Sequence, residues 1–161
     1  MIVVSDTSPI NYLILTGYIG LLEKLYGRVV IPVSVHSELQ KDEAPQAVKA
    51  WISNLPEWIE IRKAATTLIG LSLDPGEQEA IALAEELRAD LLLIDERHGR
   101  EVAIKRNLPV IGTLGIIERA AAADLLDMTE AISRLRQTTF RVSENLFEDM
   151  LNRDSARKSK G

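Results

Sequence analysis

The chain has 161 residues, of which 46% are hydrophobic and 27% charged, and it contains no cysteine. This length and composition predict one globular domain with its own apolar core. The absence of cysteine excludes disulfides, thiolate zinc sites, iron–sulfur clusters and cysteine nucleophiles. The net charge of −5 argues against a protein that binds nucleic acid through a basic surface alone. Because no stretch approaches the ~20 apolar residues of a membrane-spanning helix, we expect a cytoplasmic protein without a signal peptide or membrane segment.

The predicted elements alternate between short apolar strands and helices. The first strand, Ile2 to Val4, ends at a turn, and Pro9 then opens a helix that closes at Gly17. Further apolar runs predict strands at residues 29–31, 58–61, 91–94 and 109–111. Helical patterning is found at 19–26, 33–40, 44–55, 75–87 and 96–106, in a segment ending near 123, and at 128–137 and 143–151.

Strands separated by helices predict parallel pairing through right-handed crossovers. We therefore expect a three-layer α/β/α sandwich with a central, mainly parallel sheet, formed as a single domain by residues 1–151. Residues 152–161 carry four basic side chains and one acid, and are predicted to form a basic, flexible tail.

Four acids are the candidate functional residues. Asp6 and Asp95 each follow a predicted strand, Glu38 lies in the helix after the second strand, and Glu77 lies in the first turn of the helix that begins at Pro75. In an open parallel sheet, ligands bind beyond the carboxyl ends of the strands. Each acid taken alone is also typical of a turn, a cap or an exposed helix position. Together, carboxylates from separate segments at one sheet edge favour Mg²⁺ or Mn²⁺.

The third acid has a competitor in Glu79. Positions 77 and 79 face different directions on a helix, so only one of them is expected to point into the site. We favour Glu77, because the first turn of its helix lies nearer the strand ends. The position after Asp95 is occupied by Glu96, whose part in metal binding the sequence leaves open.

Neighbouring polar side chains have two interpretations each. Thr7, Ser8 and Thr113 are suited either to bonding a phosphate or to turns and caps. Arg97 and Arg100 are suited either to receiving a substrate phosphate or to ion pairs on an exposed helix.

Five short motifs, none specific alone, carry a family resemblance through their order and spacing. They are Val4–Ile10, Ile31–Leu39, Leu73–Ala84, Leu92–Arg97 and Val110–Gly115. In this arrangement the chain resembles a PIN domain, the nuclease fold of VapC-type toxin ribonucleases, in its compact prokaryotic branch, and the resemblance covers nearly the whole chain. It departs from the commonest pattern at Glu77, where many relatives have Asp, and after Asp95, where Glu96 and Arg97 follow.

The resemblance implies that Asp6, Glu38, Glu77 and Asp95 bind one or two divalent metals. It implies that the protein uses these metals to hydrolyse RNA. It also implies an RNA substrate, a small antitoxin protein as partner, and a homodimer. Large apolar side chains beyond the needs of a small sheet favour a dimer as well; they are Leu21, Leu22, Leu25, Tyr26, Trp51 and Trp58.

Other classes fit less well. A haloacid-dehalogenase-like phosphatase needs a second Asp where this chain has Ser8. The segment Gly112–Gly115 lacks the spacing of the nucleotide-binding fingerprints. The alternative that stays open is a catalytically weak PIN-like module that binds RNA or a protein without turnover.

Overall fold

The computed structural model describes residues 1–68 and 70–160. Within them five strands form one sheet in the order β3-β2-β1-β4-β5, and every pairing is parallel. The strands are β1 (Val3–Ser5), β2 (Val29–Pro32), β3 (Ile59–Arg62), β4 (Leu91–Leu93) and β5 (Val110–Ile111). All five lie within a residue or so of the predicted runs, which confirms the strand predictions.

The sheet is buried because its strands are apolar on both faces. Val4 and Leu92 pack in a cluster with Ile81 from the helix after β3, whereas Val3 and Leu93 point to the opposite face and are equally buried. Strands covered on both sides are typical of parallel sheets between helical layers. The predicted three-layer α/β/α fold with a central parallel sheet is confirmed.

The helices fall mostly where apolar patterning predicts them. The described residues contain α1 (Thr7–Leu15), α2 (Leu21–Tyr26), α3 (Val33–Leu39), α4 (Gln46–Ile52), α5 (Pro75–Glu86), α6 (Arg97–Lys105), α7 (Thr113–Ala122), α8 (Met128–Arg136) and α9 (Glu144–Lys160). The predicted helix at 44–55 is shorter in the structure, because Pro45 occupies its N-cap position and Ser53 ends it. No helix among the described residues has the length and apolarity to cross a membrane.

The strand order places a ligand-binding crevice at the centre of the sheet. From β1 the chain proceeds to β2 and β3 on one side, and β4 and β5 lie on the other, so the order reverses between β1 and β4. In open α/β sheets the carboxyl ends at such a reversal form the usual binding crevice. The residues after β1 and β4 are Asp6 and, two positions beyond β4, Asp95.

The chain divides into two compact units. The first, Met1–Thr113, contains the whole sheet and α1 to α6, and the second begins at Leu114. The prediction that residues 1–151 form a single domain stays a prediction.

The tail predicted from residue 152 is helical in the structure. The helix α9 continues to Lys160, with Arg153 paired to Glu118 and the buried Asp154 paired to both Arg157 and Lys158. These ion pairs explain why a polar segment without apolar periodicity continues a helix, and they correct the expectation of a separate tail. Gly161 lies outside the described residues.

Candidate active site

The four predicted acids all lie in the first unit, on segments that meet at the carboxyl edge of the sheet. Asp6 is the N-cap residue of α1 and follows β1 directly. Its backbone N–H donates to the Leu93 carbonyl at the end of β4, 2.9 Å away, so the residues after these two strands start side by side. Asp95 therefore lies on the same edge as Asp6, as the sequence predicted. Glu38 reaches this edge from the last turn of α3 and Glu77 from the first turn of α5.

Three carboxylates converge around Gly76, in the first turn of α5. A β-carbon added at Gly76 would lie 3.1 Å from Glu38 Oε2, and 3.5 Å from the Oδ1 atoms of both Asp6 and Asp74. The backbone approaches these oxygens so closely because residue 76 has no side chain. The convergence joins α1, α3 and α5 in one acidic cluster.

Asp74 is the acid that sequence reasoning missed as part of the site. Its Oδ1 accepts from the Glu77 backbone N–H at 2.7 Å, while Glu77 Oε1 accepts from the Asp74 N–H at 3.3 Å. Because the sequence already explained Asp74 as half of this reciprocal capping box, it did not indicate a further role at the site. The signal available was that the box contains two acids and opens a helix at the predicted site.

Glu77 is the more deeply placed of the two competing glutamates. Its side chain is buried, and its Oε2 would lie only 2.7 Å from a β-carbon added at Gly99 in α6. Glu79 is turned away into structural contacts, since its carboxylate accepts from the backbone N–H groups of Ser34 at 2.7 Å and Ala64 at 3.0 Å. The geometry thus places Glu77, not Glu79, with the acidic cluster.

Two buried carboxylate oxygens have no hydrogen-bond partner among the described residues. They are Asp6 Oδ1 and Glu77 Oε2, on residues that are only 4% and 6% exposed. Buried polar atoms without a partner are uncommon, because each costs roughly 1–3 kcal/mol. A cation bound by either carboxylate would supply the interaction that its buried oxygen lacks.

Burial and like charge raise the pKa values of the same two acids. Burial raises the pKa of Asp6 to about 7, and the charges of Asp74, Glu38 and Asp95 add to this effect. The pKa of Glu77 is raised to about 8, first by burial and then by its contact with Asp74. These shifts reflect an excess of negative charge in a poorly hydrated place.

Two threonines hold the remaining acids. Thr7 Oγ1 donates to Glu38 Oε2 at 2.8 Å. The backbone N–H and the Oγ1 of Thr113 donate to the two oxygens of Asp95, at 2.6 and 2.7 Å. Thr7 therefore orients a carboxylate of the acidic cluster, and Thr113 orients Asp95 at the same edge of the sheet.

The other residues whose roles the sequence left open make different contacts in the structure. Glu96 caps α6, where its carboxylate accepts from the His98 backbone N–H at 3.0 Å. Arg97 is 92% exposed and pairs with Glu101 one helical turn away. Arg100 instead turns toward the end of β4, where its Nη1 donates to the Ile94 carbonyl at 3.5 Å.

The donor types fit a hard divalent cation. Carboxylate oxygens are the ligands that Mg²⁺ and Mn²⁺ prefer, and the cluster carries the negative charge that such an ion would neutralise. Across residues 1–68 and 70–160, no three acidic or histidine side chains are arranged to hold an ion as they stand. Binding would therefore require the carboxylates to turn toward one another.

Comparison with known proteins agrees with this geometry. A family described as PIN domain matches residues 2–156. A solved structure of a PilT N-terminus domain protein from the hyperthermophilic archaeon Sulfolobus solfataricus has a TM-score of 0.54 and 20% identity, over 72% of this chain and 90% of that one. No curated protein matches the sequence. PIN domains are typically nucleases and typically use divalent metals. The match over almost the whole length shows that this chain belongs to the PIN-domain family.

Proposed function

We propose that the chain is a divalent-metal-dependent endoribonuclease that hydrolyses RNA phosphodiester bonds. The observation that carries the proposal is the pair of buried, unpartnered carboxylate oxygens on Asp6 and Glu77, within an acidic cluster at the carboxyl edge of a PIN-domain sheet. A purely structural cluster would be expected to satisfy such atoms with hydrogen bonds.

Asp6, Glu38, Glu77 and Asp95 would hold Mg²⁺ or Mn²⁺. When bound, a divalent metal neutralises charge on the phosphate and makes water a stronger nucleophile at neutral pH. No histidine or lysine base is then required. Asp74 lies close enough to Asp6 and Glu77 to add negative charge to the same place.

The contacts within the site restrict how far the carboxylates move. Thr7 fixes one oxygen of Glu38, and Thr113 fixes both oxygens of Asp95. The capping box fixes Glu77 from the side of Asp74. Such supporting hydrogen bonds keep these side chains at the site and limit how far they must turn to bind a metal.

Within this function we propose the role of a VapC-like toxin, with RNA as substrate, a small antitoxin protein as partner and a second copy of the chain as dimer partner. The support is the resemblance of the five motifs. Expression in a bacterial host tests the role. We expect growth arrest that the product of a small neighbouring gene relieves, and growth unaffected by active enzyme would contradict a toxin.

One observation favours a second candidate, a catalytically weak PIN-like module that binds RNA or a protein without turnover. This is the lack, among the described residues, of three side chains already arranged around an ion. The two candidates differ in whether RNA is cut when metal is present.

A cleavage assay on total RNA separates them. We expect cleavage by the native protein with Mg²⁺ or Mn²⁺, none with EDTA, and none by Asp6→Asn. Asp42→Asn is the matched control, because Asp42 is an exposed acid between α3 and α4, and it should cleave like the native protein. Absence of cleavage with both metals would favour the binding module, and cleavage by Asp6→Asn would contradict the assigned site.

A further inference from the structure

Arg100 is a basic residue near Asp95 that the proposed chemistry does not use. It lies half-buried in α6, and among the described residues its guanidinium makes one hydrogen bond, the long contact of 3.5 Å to the Ile94 carbonyl. It forms no ion pair within the described part of the chain. Three positions earlier on the same helix, Arg97 is exposed and paired with Glu101.

The Arg100 guanidinium lies near Asp95 without forming an ion pair with it. A β-carbon added at Gly112 would lie 2.6 Å from Arg100 Nη1 and 2.8 Å from Asp95 Oδ1, so both groups border the space that a side chain at 112 would fill. The Asp95 oxygens already accept from the N–H and Oγ1 of Thr113. A guanidinium has five N–H donors in a planar fork, and most of those on Arg100 remain available.

An acidic site that takes RNA needs a positive group to receive the phosphate, since carboxylates repel it. The planar fork of arginine suits two oxygens of one phosphate. We propose that Arg100 binds a phosphate of the RNA substrate next to Asp95, and that position 112 is glycine because a side chain there would occupy this place. The inference rests on the proposed function for the identity of the substrate, and it assigns Arg100 to substrate binding.

Binding of a short fluorescein-labelled single-stranded RNA, measured by anisotropy over a salt series, tests this without cleavage. The Asp6→Asn protein serves as background, with EDTA present so that no divalent cation competes for the phosphates. Adding Arg100→Ala should weaken binding about tenfold or more, because a charge-assisted contact is lost. The dependence of log affinity on log salt should become shallower by about 0.7, the value for one phosphate contact on a single strand.

Arg97→Ala in the same background is the matched control, and it should change neither affinity nor salt dependence. Arg100→Lys should keep the salt dependence while losing part of the affinity, because it retains the charge but not the fork. Gly112→Ala should weaken binding with Arg100 still present. Thermal melting of each variant shows whether it is folded, and the lysine and Gly112 variants test the inference if Arg100→Ala does not fold.

Equal affinity and equal salt dependence for the Arg100→Ala and Arg97→Ala proteins would overturn the inference, as would a lack of RNA binding by every variant. The result of the RNA-binding experiment does not depend on the proposed catalysis. That catalysis is tested separately, by the cleavage assay on the native protein. A native protein that cleaves, together with an unaffected Arg100→Ala, refutes only the role of Arg100. A native protein that fails to cleave, together with weakened binding by Arg100→Ala, refutes only the catalysis.

Discussion

Ionisation of the Asp6 carboxyl is unfavourable in the metal-free protein. Its carboxylate is almost fully buried, and one of its oxygens has no partner among the described residues. Its pKa of about 7 in the folded state lies above the ordinary value of 3.8, so the folded chain binds this proton more tightly than the unfolded chain does. The corresponding stability is present below the ordinary pKa and is lost as the pH rises through the folded-state pKa.

Replacing Asp6 with Asn should therefore stabilise the metal-free protein at alkaline pH while abolishing cleavage. The gain in unfolding free energy is at most about 4 kcal/mol, from ~1.4 kcal/mol for each pKa unit. Urea unfolding in EDTA across the acid-to-alkaline range measures it. We expect the native protein to lose stability as pH rises, and Asp6→Asn to lose less. A mutant that melts well below the native protein would show that Asp6 is mainly structural.

Substitution of Glu77 and of Glu79 by Gln should have opposite effects on metal binding and stability. Glu77→Gln should lose cleavage and Mn²⁺ affinity with its fold retained, because it removes charge from a site where charge is unfavourable. Glu79→Gln should keep Mn²⁺ affinity but lose stability, by about 1–2 kcal/mol, because Glu79 holds two backbone N–H groups. Calorimetry with Mn²⁺ and urea unfolding measure both quantities. Loss of Mn²⁺ affinity in the Glu79 variant alone would reverse the assignment.

Among the elements, α5 and α6 are in close contact where Glu77 meets Gly99. A β-carbon on Gly99 would lie 2.7 Å from Glu77 Oε2 and 2.8 Å from Ile94 Cδ1. Neither distance is tolerated without movement, and Glu77 and Ile94 are both buried. The absence of a side chain at position 99 thus lets α6 enclose the buried end of Glu77.

Gly99→Ala should lower the free energy of unfolding by about 1–3 kcal/mol through overpacking, and weaken Mn²⁺ binding by displacing Glu77. Gly20→Ala is the matched control, because Gly20 has an ordinary helical conformation with no atom within 4 Å of an added β-carbon. Its effect should stay below about 1 kcal/mol. If the two variants are equally stable and bind Mn²⁺ equally, the close contact between Glu77 and Gly99 contributes neither to stability nor to Mn²⁺ binding.

The strands and the edge of the site could be predicted from sequence, because continuous apolar runs and the acids that follow them depend on local composition. The end of α9 could not, because its polar residues are held by partners such as Glu118, more than thirty positions away along the chain. Asp74 was missed for another reason. Its capping role is local and visible, whereas its closeness to Asp6 exists only after α1 and α5 have packed.

At the scale of the whole molecule, the prediction of a homodimer concerns surface that the fold does not cover. Of the six apolar residues behind this prediction, Leu21 and Leu22 lie in the core. The other four are half-buried, and the rings of Trp51 and Trp58 pack at a centroid distance of 6.2 Å.

We expect a homodimer at micromolar concentration, with these four side chains partly covered by the second copy. Analytical ultracentrifugation measures the mass of the species in solution. Replacing Leu25 with Glu should produce a monomer, because an unpaired charge would be buried in the interface. Sedimentation of the native protein as a single chain would contradict the dimer.

The central claim is that the acidic cluster is a cation site, and its most direct test is Mn²⁺ titration calorimetry in buffers of different ionisation enthalpy. At about pH 6.5, Asp6 and Glu77 are largely protonated in the metal-free protein, because their pKa values are about 7 and about 8. Carboxylates must lose these protons to bind metal. The account predicts release of roughly one to two protons for each ion at this pH, falling toward zero as the pH rises past both pKa values, and loss of binding in Asp6→Asn. Absence of Mn²⁺ binding, or equal binding and equal proton release by the native and Asp6→Asn proteins, would contradict it.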